Sequence, residues 1–251
     1  MTNIFDTHAH YTDKRFEPDR DALLRSLPGR GVACALTCGS DLPDSRAALA
    51  LAGEHGYVYA ACGVHPHAAS SFGDAGELRE MLKAERCVAL GEIGLDYHYD
   101  FSPRDKQQEC FRAQLELALE MNLPVIVHDR EAHEDTLRLL QEYKPRGVVH
   151  CFSGSWEFAR EILALGMHIG LGGAVTFKNA RKPAQVAANM PIDRLLLETD
   201  APYMAPEPFR GQRCDSAHIA LTAKKIAEIR GIDTQELIST CHENGKRLFA
   251  L

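Results

Sequence analysis

Short apolar runs alternate with longer amphipathic stretches along the whole chain. The short runs predict strands at residues 3–7, 32–38, 58–64, 88–93, 124–128, 147–151, 168–172 and 194–198. Between them, apolar positions recur at helical spacing over 19–26, 44–55, 76–84, 104–121, 132–141, 156–165 and 183–189. Residues 216–231 and 234–248 read as closing helices. Strands separated by helices imply βαβ units and a parallel sheet. Eight repeats of about 30 residues make a (β/α)8 TIM barrel. A six-stranded doubly wound sheet is the rival, and it would carry a glycine-rich phosphate loop after its first strand. That position holds Thr7-His8-Ala9-His10 instead, and no Pro/Gly/Ser-rich linker divides the chain. Residues 1–251 are therefore expected to form one domain.

Composition adds little to this picture and removes several alternatives. The 251 residues are 45% apolar, enough for a full-sized core without staples. A net charge of −7 without a long basic run predicts no tight non-specific hold on nucleic acid. It leaves a nucleic-acid substrate open, because bound metal supplies positive charge locally. The eight cysteines are scattered, mostly in apolar runs, and form no close CxxC pair. Buried thiols in a reducing, cytoplasmic compartment are the expectation, with Cys34 and Cys38 as a redox pair the alternative. No signal-like segment opens the chain, and no apolar run is long enough to span a membrane. A monomer is the default.

The candidate chemistry lies at the ends of the strand-like runs. His8 and His10 follow the first, Glu92 the fourth, His128 the fifth, His150 the sixth and Asp200 the eighth. A spacing of two at a strand tip points both imidazoles of the His8/His10 pair the same way, toward the mouth where barrel active sites lie. Glu92 offers two carboxylate oxygens and can bridge two cations. Four histidines and two carboxylates exceed what one tetrahedral ion needs, so the residues predict two divalent ions. One is expected on His8, His10, Glu92 and Asp200, the other on Glu92, His128 and His150. Mg, Mn, Zn, Ni and Co all fit such donors. The expected chemistry is hydrolysis by a two-metal-activated water, with Asp200 as general base. A closed structural site would be richer in thiolate.

The strings DTHAH, GVHPH, GEIGLDYH, PVIVHDR, HCFSGS, LLLETDAP and ENGKRLF together resemble the TatD family of metal-dependent hydrolases, within the amidohydrolase-like superfamily. The resemblance runs from the first strand to the last helix. It implies a TIM barrel, a divalent two-metal centre and phosphodiester hydrolysis, typically of DNA. It carries the ligand roles onto His8, His10, Glu92, His128, His150 and Asp200, and adds His65 as a phosphate contact. By the same resemblance Asp96 supports the ligand shell, and Asp6, which shares the parity of His8 and His10, is expected to orient a ligand imidazole in the same way. Arg130 and Arg210 are substrate-binding candidates at the rim, and Arg213 is also retained. Tyr97, Tyr99 and Phe101 could stack bases, or simply pack as a lid. One loop departs from the family pattern: Cys214-Asp215-Ser216 stands where many members carry Asn-Glu-Pro.

The expected substrate is DNA, bound weakly and without sequence preference at single-stranded or frayed 3′ ends. An amide, lactone or aminoacyl ester is the alternative within the same chemistry. A barrel that keeps metal only as a scaffold is the non-enzymatic one.

Overall fold

The structure is a computed structural model that describes residues 1–73 and 75–251. Eight parallel strands pair in chain order: β1 (Ile4–Ala9), β2 (Val32–Cys38), β3 (Val58–Cys62), β4 (Cys87–Asp96), β5 (Val125–Arg130), β6 (Gly147–Val149), β7 (His168–Leu171) and β8 (Leu195–Leu197). Helices α1 (Arg20–Ser26), α2 (Leu42–Glu54), α3 (Gly76–Met81), α4 (Arg104–Met121), α5 (His133–Tyr143), α6 (Trp156–Ala164) and α7 (Arg181–Asn189) follow β1 to β7 in turn. After β8 come α8 (Ile219–Arg230) and α9 (Thr234–Phe249). A parallel bridge between Ala9 and Ala201 draws the last strand onto the first. The His10 amide donates to the Ala201 carbonyl across that seam, and the Asp200 amide donates to the carbonyl of His8. This is the expected (β/α)8 TIM barrel.

Strand alternation sets the core in two layers. Leu36, Ala61, Ala89, Ile126, Val148 and Leu196 fill the barrel interior, where Leu248 and Phe249 of α9 close its lower end. Their neighbours, among them Ala35, Ala60, Leu90, Val125, Val149 and Leu197, face outward into the helical ring. Glu92 breaks the parity set by Ala89. The register of β4 on β5 slips between Leu90 and Ile93, and this irregularity re-aims the chain. Two residues on, Gly94 adopts φ +139, and a Cβ there would lie 2.0 Å from the His128 carbonyl oxygen. Only glycine permits strands β4 and β5 to continue side by side past the metal-ligand candidates.

The element boundaries need correction where the site lies. β4 extends to Asp96, beyond the expected end at residue 93, because Gly94, Leu95 and Asp96 pair with His128, Asp129 and Arg130 of β5. β6 and β8 are shorter than expected, ending at Val149 and Leu197. His150 thus sits just past its strand, and Asp200 stands three residues beyond β8 in left-handed backbone (φ 59). Cys151 does the same at φ 42. These turns take the chain off the ladder and lower the donors into the mouth. Apolar runs mark where the chain is buried, not where pairing stops.

Candidate metal centre

All six predicted ligands converge on the C-terminal mouth, with Glu92 at the centre. Its Oε2 lies 3.4 Å from His8 Nε2 and 3.2 Å from His10 Nε2. Those two nitrogens are 3.1 Å apart, and Asp200 Oδ1 is 3.7 Å and 3.4 Å from them. Four donors held tetrahedrally around one ion at about 2.1 Å would stand about 3.4 Å from each other. The Glu92 Oε1 faces a different set: His150 Nε2 at 2.7 Å, His128 Nδ1 at 2.9 Å and His65 Nε2 at 3.4 Å. His128 Nδ1 and His150 Nε2 are 3.3 Å apart. His8 and His150 stack at 3.8 Å between ring centroids, and with Asp200 they form a further possible ligand triple. The donors present fit a divalent metal, on spacing as well as type.

Tautomers separate the ligands from their neighbour. His10 Nδ1 lies 3.0 Å from the Cys38 carbonyl oxygen, which accepts and never donates, so that nitrogen carries the proton and Nε2 keeps its lone pair. His128 Nε2 is 3.3 Å from Asp96 Oδ2, which likewise leaves Nδ1 free toward Glu92. His65 is reversed. Its Nδ1 accepts from the His67 amide at 3.2 Å, so the neutral ring bears its proton on Nε2. That nitrogen donates into the site and cannot ligate a cation at the same time.

Charge in the metal-free chain follows from this packing. Burial raises the Glu92 carboxyl, but the surrounding imidazoles of His150, His65 and His8 hold it well below its ordinary range. Burial pulls His10 down, but Asp200 and Glu92 carry it well above 6.5. His128 is likewise opposed by burial and lifted by Asp96 and Glu92 to about 9. Burial beside His150 drops His8 to about 4. At neutral pH, His10 and His128 must therefore lose protons to bind metal. Proton release on metal binding is expected, with affinity falling as pH drops below about 9. Calorimetry in buffers of different ionisation enthalpy reads this directly, and buffer-independent heats would contradict it.

Asp6 does not orient an imidazole, contrary to expectation. Its Oδ1 accepts from the amides of Thr199 (3.0 Å) and His8 (3.3 Å), and its Oδ2 from the hydroxyls of Thr199 and Ser216, both at 2.6 Å. Tyr11 donates to Ser216 Oγ at 2.5 Å and accepts from the Ser216 amide. Asp6 thus ties β1 to the chain on both sides of Asp200. Burial lifts its carboxyl to about 6, against the pull of these donors. Replacing it with Ala strands several buried donors at about 1–3 kcal/mol each. Asp6→Ala is expected to lose about 3 kcal/mol or more, seen as a lower urea midpoint at unchanged slope.

Several contributors were not singled out from the sequence. Cys38 Sγ lies 3.4 Å from His8 Nδ1, and burial keeps the thiol neutral. Glu198 is buried, accepts from the Cys151 amide, and burial pushes its carboxyl well above the ordinary range. Tyr203, 46% exposed, sets its ring 6.4 Å from that of His10. Cys38 and Glu198 end the expected strands at 32–38 and 194–198, whereas Tyr203 lies past the left-handed turn at Asp200, where no periodicity remains to read.

The rim residues divide. Tyr97 is not available for stacking, because the Arg104 guanidinium lies over its ring at 4.3 Å and its hydroxyl is held by Asp135 and Gln108. Tyr99 and Phe101 are exposed and stack on each other at 5.3 Å, with Arg130 over the Tyr99 ring. Arg210 lies over Phe177. Arg213 is engaged by Asp19 in a bidentate pair. The departing loop is structural in its contacts: Cys214 is buried, Asp215 pairs with Arg30, and Ser216 joins the Asp6 network. His67 bonds Asp96 at 2.8 Å.

A TIM barrel with histidines and carboxylates gathered at its C-terminal mouth defines the class of metal-dependent hydrolases. The chain belongs to the TatD related DNase family, which matches residues 5–250. It is 41% identical over 253 residues to YabD of Bacillus subtilis, an uncharacterized metal-dependent hydrolase, covering 99% of both chains. It is 36% identical to the 3′-5′ ssDNA/RNA exonuclease TatD of Erwinia tasmaniensis, over 99% of this chain and all of the relative. Among solved structures, the TatD homolog YjjV of Escherichia coli superposes with a TM-score of 0.93 at 33% identity, over 99% and 98% of the two chains.

Proposed function

We propose that this hydrolase cleaves phosphodiester bonds at single-stranded or frayed 3′ ends of DNA, with two divalent ions bound at the mouth. The observation that carries the reading is the division of Glu92: each of its oxygens faces a separate set of imidazoles. His8, His10 and Asp200 with Oε2 would hold one ion, and His128 and His150 with Oε1 the other. Such ions would acidify a water and offset the charge that builds on the scissile phosphate.

The chain's own residues supply the rest. Asp200 sits at the edge of the cluster, partly open to solvent, where a carboxylate can take a proton from water. Burial would raise its carboxyl, but the His10 imidazole keeps it below 3.8, so it is ionised and ready to accept. His65 presents its Nε2–H beside the second donor set, placed to bond a non-bridging phosphate oxygen. Asp96 fixes the His128 ring. Arg130 and Arg210 stand at the exposed rim, where phosphates of the following strand would pass. Tyr99 and Phe101 present an exposed aromatic pair to unpaired bases. The Erwinia relative's name agrees in both substrate and direction.

The test is turnover of 3′-labelled single-stranded DNA after chelation and metal re-addition, beside a panel of amides, lactones and aminoacyl esters. Metal-restored release of nucleotides from the 3′ end supports the proposal. Turnover confined to acyl substrates would replace it. His65→Asn is expected to keep the wild-type metal content and lose kcat/KM by about 10–100-fold, the worth of one charge-assisted hydrogen bond. A drop in metal content would instead make His65 a ligand.

A further inference from the structure

The opposite end of the barrel holds a cavity of about 400 Å³ beneath β6, β7 and β8. Arg146 precedes β6, His168 opens β7, Asp193 and Arg194 precede β8, and Arg247 comes from the last turn of α9. We propose that this cavity is a second ligand site that binds the phosphate of a small monoester, independently of the metal centre.

The charge of the lining is the first ground. Three guanidiniums face a single carboxylate, in a chain whose net charge is −7. Each arginine is oriented by one strong bond to a neutral oxygen: Arg146 to the Asn122 carbonyl at 2.9 Å, Arg194 to the Gly166 carbonyl at 2.9 Å and Arg247 to the Asn244 side chain at 2.6 Å. A guanidinium has five N–H donors, so most remain available. Asp193 is the weak counter-charge, 4.0 Å from Arg194. Among the described residues, neither Arg146 nor Arg247 has a carboxylate partner. Pre-oriented, unneutralised forks are what bidentate phosphate recognition requires.

His168 is the second ground. It lines the cavity at 5% exposure, and apart from the Gly147 carbonyl beside the ring its nitrogens have no polar partner among the described residues. A buried imidazole without partners costs free energy unless a ligand supplies one. Burial, with Arg194 and Arg247 beside it, presses His168 down to about 4, while the Gly147 carbonyl opposes them. A bound dianion reverses the effect of the two cations.

Size sets the ligand class. About 400 Å³ suits a small molecule, not a polymer. The barrel plug of Val148, Leu196 and Leu248 stands between this cavity and the mouth. A phosphate here therefore does not touch the residues that face the substrate.

The test follows the His168 ring by NMR in the full-length, metal-loaded protein. Inorganic phosphate and deoxyadenosine 5′-monophosphate are titrated separately, with acetate as the carboxylate control. Saturable movement of the His168 signals, with its titration midpoint shifted upward, is expected for phosphate or the monophosphate. The tighter of the two identifies free phosphate or an esterified one as the ligand. Arg194→Gln combined with Arg247→Gln should abolish the response at unchanged hydrolysis, and Arg146→Gln should weaken binding about tenfold. Asp200→Asn should leave it intact, which separates this site from the mouth. No movement with either phosphate overturns the proposal, as does acetate binding equally well or a response surviving in the double variant. If the double variant unfolds, the Arg146→Gln titration decides alone.

Discussion

Asp200→Asn is expected to fold normally and to lose turnover by about 10³-fold or more, in the upper range of what a general base contributes. The substitution is nearly isosteric, and the amide of residue 200 still donates to His8, so the seam is kept. What is lost is an anionic oxygen 3.4 Å from His10 Nε2. An amide oxygen is a poorer ligand and cannot accept a proton near neutral pH. Circular dichroism and urea unfolding should match wild type while single-turnover rates collapse. Turnover near wild type would remove Asp200 from the base role.

Glu92→Gln should have the larger effect on metal. Both Glu92 oxygens are committed, one to each donor set, and the side chain is 3% exposed. Gln keeps the shape but supplies no negative charge between the imidazoles. Metal content is expected to fall from the proposed two ions per chain to one or none, with hydrolysis undetectable. Thermal unfolding offers a second reading. At metal concentrations of about 100 times Kd, binding stabilises the wild type by about 2.7 kcal/mol, and the variant should gain little. Equal stabilisation of both proteins would show that Glu92 is not a ligand.

How far the sequence carries the argument depends on what each residue's position rests on. His8, His10, His128 and His150 follow apolar runs, and a strand that emerges from a core marks its own tip. Those positions were legible from alternation alone. Glu92 was legible as a carboxylate near a strand end, but its inward direction depends on the register slip between β4 and β5. Asp200 was placed by its run of leucines, although it actually sits in a left-handed turn past them. Asp6 was misread because its parity suggested the metal cluster. The structure turns its carboxylate to the amides and hydroxyls of the seam. Such bonds join residues about 200 positions apart, and no local pattern records them. Ser216 shows the same limit. As a letter it departs from the family pattern, yet in the fold it donates to Asp6 and accepts a hydrogen bond from the Tyr11 hydroxyl.

The seam between β1 and β8 also bears on how the protein acquires its activity. His8 and His10 leave the ribosome long before Asp200 and Ser216, which emerge only after most of the barrel exists. A nascent chain released before Ser216 would already contain all six metal-ligand candidates. It would lack the hydroxyl that helps pin Asp6, and so the anchor between the first strand and the last. Having the ligand candidates is therefore not the same as having the site: the mouth is completed only when the first and last strands of the barrel meet.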